Sequence, residues 1–297
     1  MTSVRLGLSL TVFTDEPSRP MEAAGRAAAA GYDAVFAADH LFPPGRPDRP
    51  SLEPYALLSA IAATHRGLGV GVLVTRAGYR PVGMLAKQAA ALDEVSGGPA
   101  VIGIGIGDAN GRLEHRAAGL EYPPFRERAE TAEETALALR ALFAGTSWPG
   151  GRWIPPVAGP LLPPGSPSVW IGGTKPTAIL AAARSADGWN AWGLDAETFE
   201  AGADELAQAA RAAGRDPAEV PPTWAGIVLV GRDAAELDSL GAERAAKGLP
   251  MNIWRGTIDD LRGFRDRLES VGTTWLVALA AGPPDRVELI ARRLRDG

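Results

Sequence analysis

Eight short apolar runs recur along this chain, and a helical pattern follows each of them. The runs cover residues 4–10, 34–38, 68–74, 100–106, 168–171, 188–192, 224–230 and 274–279. Most are apolar almost without interruption, as expected for parallel strands that are buried on both faces. Parallel strands need helical crossovers, so the alternation predicts an α/β fold. Eight units favour a closed (β/α)8 TIM barrel in one domain over residues 1–297. The alternative is an open, doubly wound sheet whose first and last strands do not pair.

One segment interrupts the alternation. Residues 145–167, after the helix that follows the fourth strand, are rich in Gly, Pro and Trp, a composition too broken for a helix. We interpret them as an irregular insertion with a small hairpin and as a candidate lid. Barrels of this type commonly have about 250 residues plus insertions, so this segment and a doubled helix before the last strand explain the chain length.

Composition excludes several classes of function. The chain has no cysteine, so disulfides and thiolate metal sites are excluded. His40, His65 and His115 lack the close spacing of a zinc site, and we expect no metal. A net charge of −5 with interleaved acids and bases argues against nucleic acid. No apolar run reaches the ~18 residues of a membrane span and no signal pattern begins the chain, so we expect a cytoplasmic protein. The expected partner is a small organic molecule.

Two ionisable residues follow the second strand. Asp39 and His40 come directly after the apolar run at residues 34–38. Barrel active sites lie at the carboxyl ends of the strands, and an imidazole beside a carboxylate is suited to acid–base catalysis near neutral pH. We therefore take both as candidate catalytic residues. In the alternative interpretation Asp39 caps the following loop, and His40 only packs against its neighbours or binds backbone. His115 has Glu114 and Arg116 beside it, which indicates a solvated loop over residues 107–123.

Glycines mark two other strand ends. The sequence GIGIGD, residues 103–108, has Asp108 where a dinucleotide-binding loop needs its last glycine, so that interpretation is rejected. Gly172, Gly173 and Thr174 precede a helix that begins at Pro176. Backbone N–H groups at a helix start, with a hydroxyl, can bind an anion, although a Gly-Gly pair is often only a turn.

Several stretches together resemble the bacterial luciferase-like monooxygenase family, barrel enzymes that use a flavin or the deazaflavin coenzyme F420. The matching stretches are AAGYDAVFAADHL (29–41), EPYALLSAIAATHRGLGVGVLVT (53–75), YRPVGMLAKQAAALDEVSGG (79–98), VIGIGIGD (101–108), FRERAETAEETALALRALF (125–143) and SVWIGGTKPTAILAAARSADGWN (168–190). Their order and spacing carry the resemblance, which extends from residue 6 to about residue 217.

The resemblance implies a cofactor site in the barrel mouth. Members of the family often place the flavin-type ring against a bulged backbone after the third strand, sometimes with a non-proline cis peptide. The Gly172 turn would hold the cofactor phosphate, and Thr75 and Asp108 would border the ring. Some deazaflavin members carry Glu where this chain has the shorter Asp108. The implied cofactor-binding residues are Asp39, Val74, Thr75, Gly107, Asp108, Gly172, Gly173 and Thr174.

The resemblance also implies the activity. The first hypothesis is an F420-dependent oxidoreductase that transfers a hydride to or from a small organic substrate, with Asp39 and His40 handling the proton. The alternatives are an FMN-dependent monooxygenase that inserts one oxygen atom from O2, and a flavin-binding protein without turnover. The helices that follow the second and third strands are the least polar of the chain, which predicts a homodimer through them.

Overall fold

The computed structural model describes residues 4–295, which form nine strands and ten α-helices. The strands are β1 Arg5–Ser9, β2 Ala34–Ala37, β3 Gly69–Arg76, β4 Ala100–Gly105, β5 Ser168–Gly172, β6 Gly188–Trp192, β7 Pro222–Gly231, β8 Trp254–Thr257 and β9 Trp275–Ala281. The helices are α1 Ser18–Ala30, α2 Pro54–Thr64, α3 Val82–Ser96, α4 Gly111–Ala117, α5 Phe125–Phe143, α6 Pro176–Ser185, α7 Ala196–Ala212, α8 Ala234–Ala246, α9 Ile258–Ser270 and α10 Arg286–Arg295.

Eight of the strands close into a parallel barrel. Pairing runs in order from β1 to β7, continues from β7 to β9 and returns from β9 to β1, where Arg5 is opposite Trp275. The (β/α)8 prediction is confirmed, and the open-sheet alternative is wrong because the first and last barrel strands pair. The predicted eighth strand is β9. The additional strand β8, which the sequence analysis missed, pairs with the last residues of β7 outside the ring.

Aromatic side chains fill part of the barrel interior. The Phe36 ring packs edge-on against Trp275 at a centroid distance of 5.5 Å and stacks on Trp170 at 6.1 Å. A Cβ atom at Gly7 or Gly71, on the strands to either side of β2, would lie 2.5 Å from the Phe36 ring. Glycine at these two positions therefore makes room for a large ring, so the interior is a packed core.

The insertion at residues 145–167 packs on the outside of the barrel. Trp148 and Val157 form an antiparallel bridge, as the predicted small hairpin requires. The Glu134 carboxylate on α5 accepts the backbone N–H groups of residues 152, 153 and 154 at 2.8 Å each. Lys87 on α3 donates to the carbonyl oxygen of Leu162. These contacts lie along α3 and α5 and leave the lid interpretation without structural support.

Within residues 4–295, the helices are all too short or too polar to cross a lipid bilayer.

Candidate active site at the carboxyl ends of the strands

A cleft of about 330 Å³ lies at the carboxyl ends of β2 and β3. Its walls come from the loop after β2, the start of α2, the loop after β3 and the segment after α4. Its lining includes the side chains of Asp39, His40, Ser51, Tyr79, Arg80 and Leu120. The cleft thus contains the two residues that the sequence analysis selected as catalytic, together with polar groups that it did not select.

Asp39 is buried in an ion pair. Its side chain is 4% exposed, and both of its carboxylate oxygens accept hydrogen bonds from the Arg80 guanidinium. Arg80 also donates to Glu53 at 2.9 Å and lies 4.6 Å from the centre of the Tyr55 ring. Asp39 therefore connects the end of β2 to the loop before α3 and to the start of α2. This arrangement resembles the loop-holding alternative more closely than a free acid or base.

His40 is partly exposed to the cleft. Its side chain is 23% exposed, and its Nδ1 atom lies 2.8 Å from Oε1 of Glu114. The Phe13 ring packs against the imidazole at a centroid distance of 5.9 Å. Because Glu114 occupies Nδ1, Nε2 is the ring nitrogen left for a ligand in the cleft.

The partner of His40 comes from a helix that the sequence analysis did not predict. Glu114 lies on α4, inside the stretch 107–123 that was expected to be a solvated loop, and its side chain is 1% exposed. Its Oε2 atom lies 3.2 Å from Arg76 Nη2 and accepts a hydrogen bond from the Tyr79 hydroxyl at 3.4 Å. Burial raises the pKa of Tyr79, which keeps this hydroxyl a donor.

His115 is also buried, so the solvated-loop prediction is wrong at this position as well. Its ring lies edge-on to Tyr79 and Tyr122, and its Nδ1 is 2.8 Å from the carbonyl oxygen of Gly111. Burial lowers the pKa of His115, so this imidazole is neutral near pH 7. It holds α4 against the loop after β3.

Asp108 occupies the start of α4. Its Oδ1 accepts the backbone N–H groups of Asn110 and Gly111 at 3.0 and 3.2 Å, and its side chain is 64% exposed. Gly107 before it has φ +83°, a left-handed conformation that favours glycine. In this structure the carboxylate that was predicted to border a cofactor ring stabilises the helix that carries Glu114.

The end of β3 carries the predicted bulge. The register against β4 shifts between Val72 and Thr75, and the peptide bond Leu73–Val74 is cis. The Thr75 hydroxyl is fully buried and hydrogen-bonded to the Tyr55 hydroxyl at 2.6 Å. The group predicted to contact the ring edge is therefore already committed to Tyr55.

The glycines around the bulge make room for Val74. A Cβ atom at Gly103, Gly105 or Gly172 would lie 2.9, 2.5 or 2.6 Å from a Val74 side-chain carbon. The small residues of β4 and β5 therefore accommodate a neighbouring side chain. Val74 itself is only partly buried at the barrel mouth.

The turn between β5 and α6 is open. Gly172 and Gly173 are half-buried, and Thr174 is exposed. The Trp189 indole donates to the carbonyl oxygen of Gly173 at 2.7 Å, which holds the turn from below. Among the described residues no side chain caps the N-terminus of α6, where Lys175 is the N-cap. These features fit an anion such as a phosphate, but Gly172, Gly173 and Thr174 do not line the cleft at Asp39 and His40.

A larger cavity of about 490 Å³ lies elsewhere, between α9 and α10. Its walls contain none of the predicted site residues, and charged pairs such as Arg232 with Asp285 occupy them. Across the described part of the chain, no group of His, Asp and Glu side chains is arranged to hold a metal ion. The smaller cleft therefore remains the candidate active site.

The fold and the cleft define a (β/α)8-barrel protein with a candidate site at the carboxyl ends of the strands. The family model of the luciferase-like monooxygenases matches residues 2–292, so the chain belongs to this family.

Two curated relatives and one solved structure illustrate the similarity. A phthiodiolone/phenolphthiodiolone dimycocerosates ketoreductase from Mycobacterium kansasii is 30% identical over 220 residues, 68% of this chain and 57% of the relative. An F420-dependent hydroxymycolic acid dehydrogenase from Mycobacterium tuberculosis is 28% identical over 236 residues, 77% of this chain and 60% of the relative. The chain thus spans under two thirds of each relative's length.

The solved structure is an F420-dependent secondary alcohol dehydrogenase in complex with an F420-acetone adduct. It superimposes with a TM-score of 0.82 at 16% identity and covers 99% of this chain and 100% of its own. At this identity the superposition supports the fold alone.

Proposed function

We propose that this chain is an F420-dependent oxidoreductase that transfers a hydride to or from a small organic substrate. The observation that carries the proposal is the presence of His40, held by a buried carboxylate, and of the open Gly172–Gly173–Thr174 turn on the same rim of one barrel. The first supplies acid–base chemistry, and the second fits a cofactor phosphate. The name of one curated relative, an F420-dependent dehydrogenase, favours this cofactor over FMN, and the name of another, a ketoreductase, favours a carbonyl or alcohol substrate.

The residues of the β5–α6 turn fit the phosphate of such a cofactor. The N–H group of Thr177 and those of the preceding turn would bind it, since Pro176 has no N–H and the Ala178 N–H already donates to the Lys175 carbonyl oxygen. The Thr174 hydroxyl and the Lys175 ammonium are nearby. Val74 and the bulged backbone of β3 would support the ring at the barrel mouth. When bound, F420 supplies the hydride chemistry, and the protein supplies position and proton transfer.

His40 is the residue that we assign to proton transfer. Oxidation of an alcohol releases a proton from oxygen, and reduction of a ketone needs one there, so a substrate oxygen near Nε2 would exchange it with the imidazole. Asp39 acts differently in this proposal, because its carboxylate is buried and neutralised by Arg80. It holds the loop that carries His40.

Cofactor binding by the purified protein tests the proposal. We expect F420 to bind more tightly than FMN when each is titrated in parallel and followed by fluorescence. Substitution Lys175→Ala should weaken F420 binding about tenfold, since it removes one charge from the phosphate site, worth about 1.5 kcal/mol. The loss should shrink as salt is added.

Lys247→Ala is the matched control, because this exposed lysine at the C-cap of α8 pairs only with Glu243 in the described contacts. Its F420 affinity should equal that of the unmodified protein. Tighter binding of FMN than of F420 would contradict the proposal and favour the monooxygenase alternative. Tight F420 binding without turnover on any alcohol or ketone would favour the non-catalytic alternative.

We also propose that the protein is a homodimer through α2 and α3. The outer face of α2 presents the small residues Ala56, Ala60 and Ala63, and Met84 on α3 is 60% exposed. Small side chains allow close approach of a second helix pair, and an exposed methionine adapts to a partner surface.

Size-exclusion chromatography with light scattering tests the dimer. The unmodified protein should have a mass of two chains at micromolar concentration, and Ala60→Arg should have a mass of one chain because it places a charge in the contact. Ala245→Arg on the exposed face of α8 is the control and should stay dimeric. A single-chain mass for the unmodified protein would exclude the proposal.

A further inference from the structure

We infer that Glu114 is a positioning residue that fixes His40 in the tautomer with its proton on Nδ1. In this tautomer Nε2 carries a lone pair toward the cleft and can accept a proton from a substrate. The catalytic part of the inference rests on the proposed function, whereas the tautomer is a property of the protein alone.

The groups around Glu114 are arranged as donors. Arg76 Nη2 and the Tyr79 hydroxyl approach Oε2 at 3.2 and 3.4 Å, and His40 Nδ1 approaches Oε1 at 2.8 Å. A carboxylate that is paired with a guanidinium and receives a hydrogen bond from a phenol has no proton of its own to donate, so it accepts from its third neighbour. The third neighbour is Nδ1, which must therefore carry the proton.

The Arg76 guanidinium is buried beside Glu114. Its side chain is 5% exposed, and its Nη1 atom is buried with no hydrogen-bond partner among the described residues. A Cβ atom at Gly111 would lie 2.0 Å from Nη1, so only glycine at the start of α4 allows the guanidinium to approach this closely. Arg76 Nη2 lies 3.2 Å from Glu114 Oε2 and 3.9 Å from the exposed Asp108 carboxylate, so its nearest counter-ion is the buried Glu114.

Other charged groups near His40 do not compete for Nδ1. Asp39 is held by Arg80, Asp108 is engaged with the backbone at the start of α4, and Tyr79 donates to Glu114. Phe13 covers another side of the ring. Glu114 is thus the side chain that decides which ring nitrogen carries the proton.

Glu114→Gln should reverse the tautomer. An amide has one acceptor oxygen, and the Arg76 cation attracts that oxygen more strongly than a neutral imidazole does. The amide NH2 group then faces His40 and donates to Nδ1. The proton moves to Nε2, where it blocks acceptance of a proton from substrate.

Nitrogen-15 NMR of the imidazole rings tests this in the protein without cofactor. The chain has three histidines, so the spectrum is simple, and His40→Asn identifies the signals of His40. At a pH where the rings are neutral, we expect Nδ1 to be protonated in the unmodified protein and Nε2 in Glu114→Gln. Glu121→Gln, an exposed carboxylate beyond α4, should match the unmodified protein.

Turnover provides the second measurement. Glu114→Gln should lower kcat for alcohol oxidation about a hundredfold with F420 affinity changed less than twofold, and Glu114→Asp should recover part of the rate because it keeps a carboxylate. An Nε2-protonated His40 in the unmodified protein would overturn the inference whether or not Glu114→Gln folds. If the tautomer reverses but no alcohol is oxidised, the inference about Glu114 stands and the proposed function fails.

Discussion

Replacing His40 by Gln should lower kcat by a hundredfold or more while leaving F420 affinity nearly unchanged. General acid–base groups typically contribute between about 10² and 10⁴ in rate, and His40 is the partly exposed imidazole in the cleft. Glutamine keeps a similar length and can still contact Glu114, but it cannot exchange a proton. The loss should therefore appear in kcat, measured as the initial rate of F420 reduction with a secondary alcohol, while F420 titration stays close to that of the unmodified protein.

His65→Gln is the matched control. His65 is the C-cap of α2, before β3, so it lies at the opposite end of the barrel from the cleft. Its substitution should leave kcat within about twofold, as for most changes away from a reacting group. An unchanged kcat in His40→Gln would remove His40 from proton transfer and favour the non-catalytic alternative.

The barrel itself was predictable from the sequence because its strands are strongly patterned. Buried parallel strands are apolar on both faces, so each run stands out from the helices around it. The count of eight runs predicted a closed barrel, as the strand pairing shows. The same rule placed Asp39 and His40 at the mouth, since each follows a strand directly. Strand β8 was missed because its four residues, which include Arg255 and Gly256, lack an apolar run.

The partner of His40 was not predictable by the same route. In α4 the buried positions are Gly111, Glu114 and His115, spaced i, i+3, i+4 as on one face of a helix, whereas Leu113 is 48% exposed. A search for apolar periodicity assigns the wrong face of this helix to the protein interior, because its buried face is polar. The i, i+3, i+4 spacing was the available signal of a buried helix face. It becomes informative only when Arg76 is known to lie opposite Glu114.

Replacing Arg80 by Met should destabilise the protein by about 3 kcal/mol, the second large effect that we expect. Removing one member of a buried ion pair leaves the other charge without compensation, at a typical cost of about 3–5 kcal/mol. Asp39 is 4% exposed and would be that charge. Methionine keeps the apolar contact with the Tyr55 ring, so the loss of packing is small. Urea unfolding followed by circular dichroism measures the change as a shift in midpoint at constant slope.

The double variant Asp39→Asn with Arg80→Met separates the two roles of Asp39. Asparagine removes the uncompensated charge, so the double variant should recover about 2 kcal/mol relative to Arg80→Met, a coupling within the range for contacting residues. If Asp39 takes no part in proton transfer, Arg80→Met and the double variant should have similar kcat values, because both lack the ion pair. A folded Arg80→Met variant that turns over, beside a stable double variant that does not, would show that the Asp39 carboxylate itself takes part in proton transfer. In that case its ion pair with Arg80 would have to open during the reaction, because both of its oxygens are occupied in this structure.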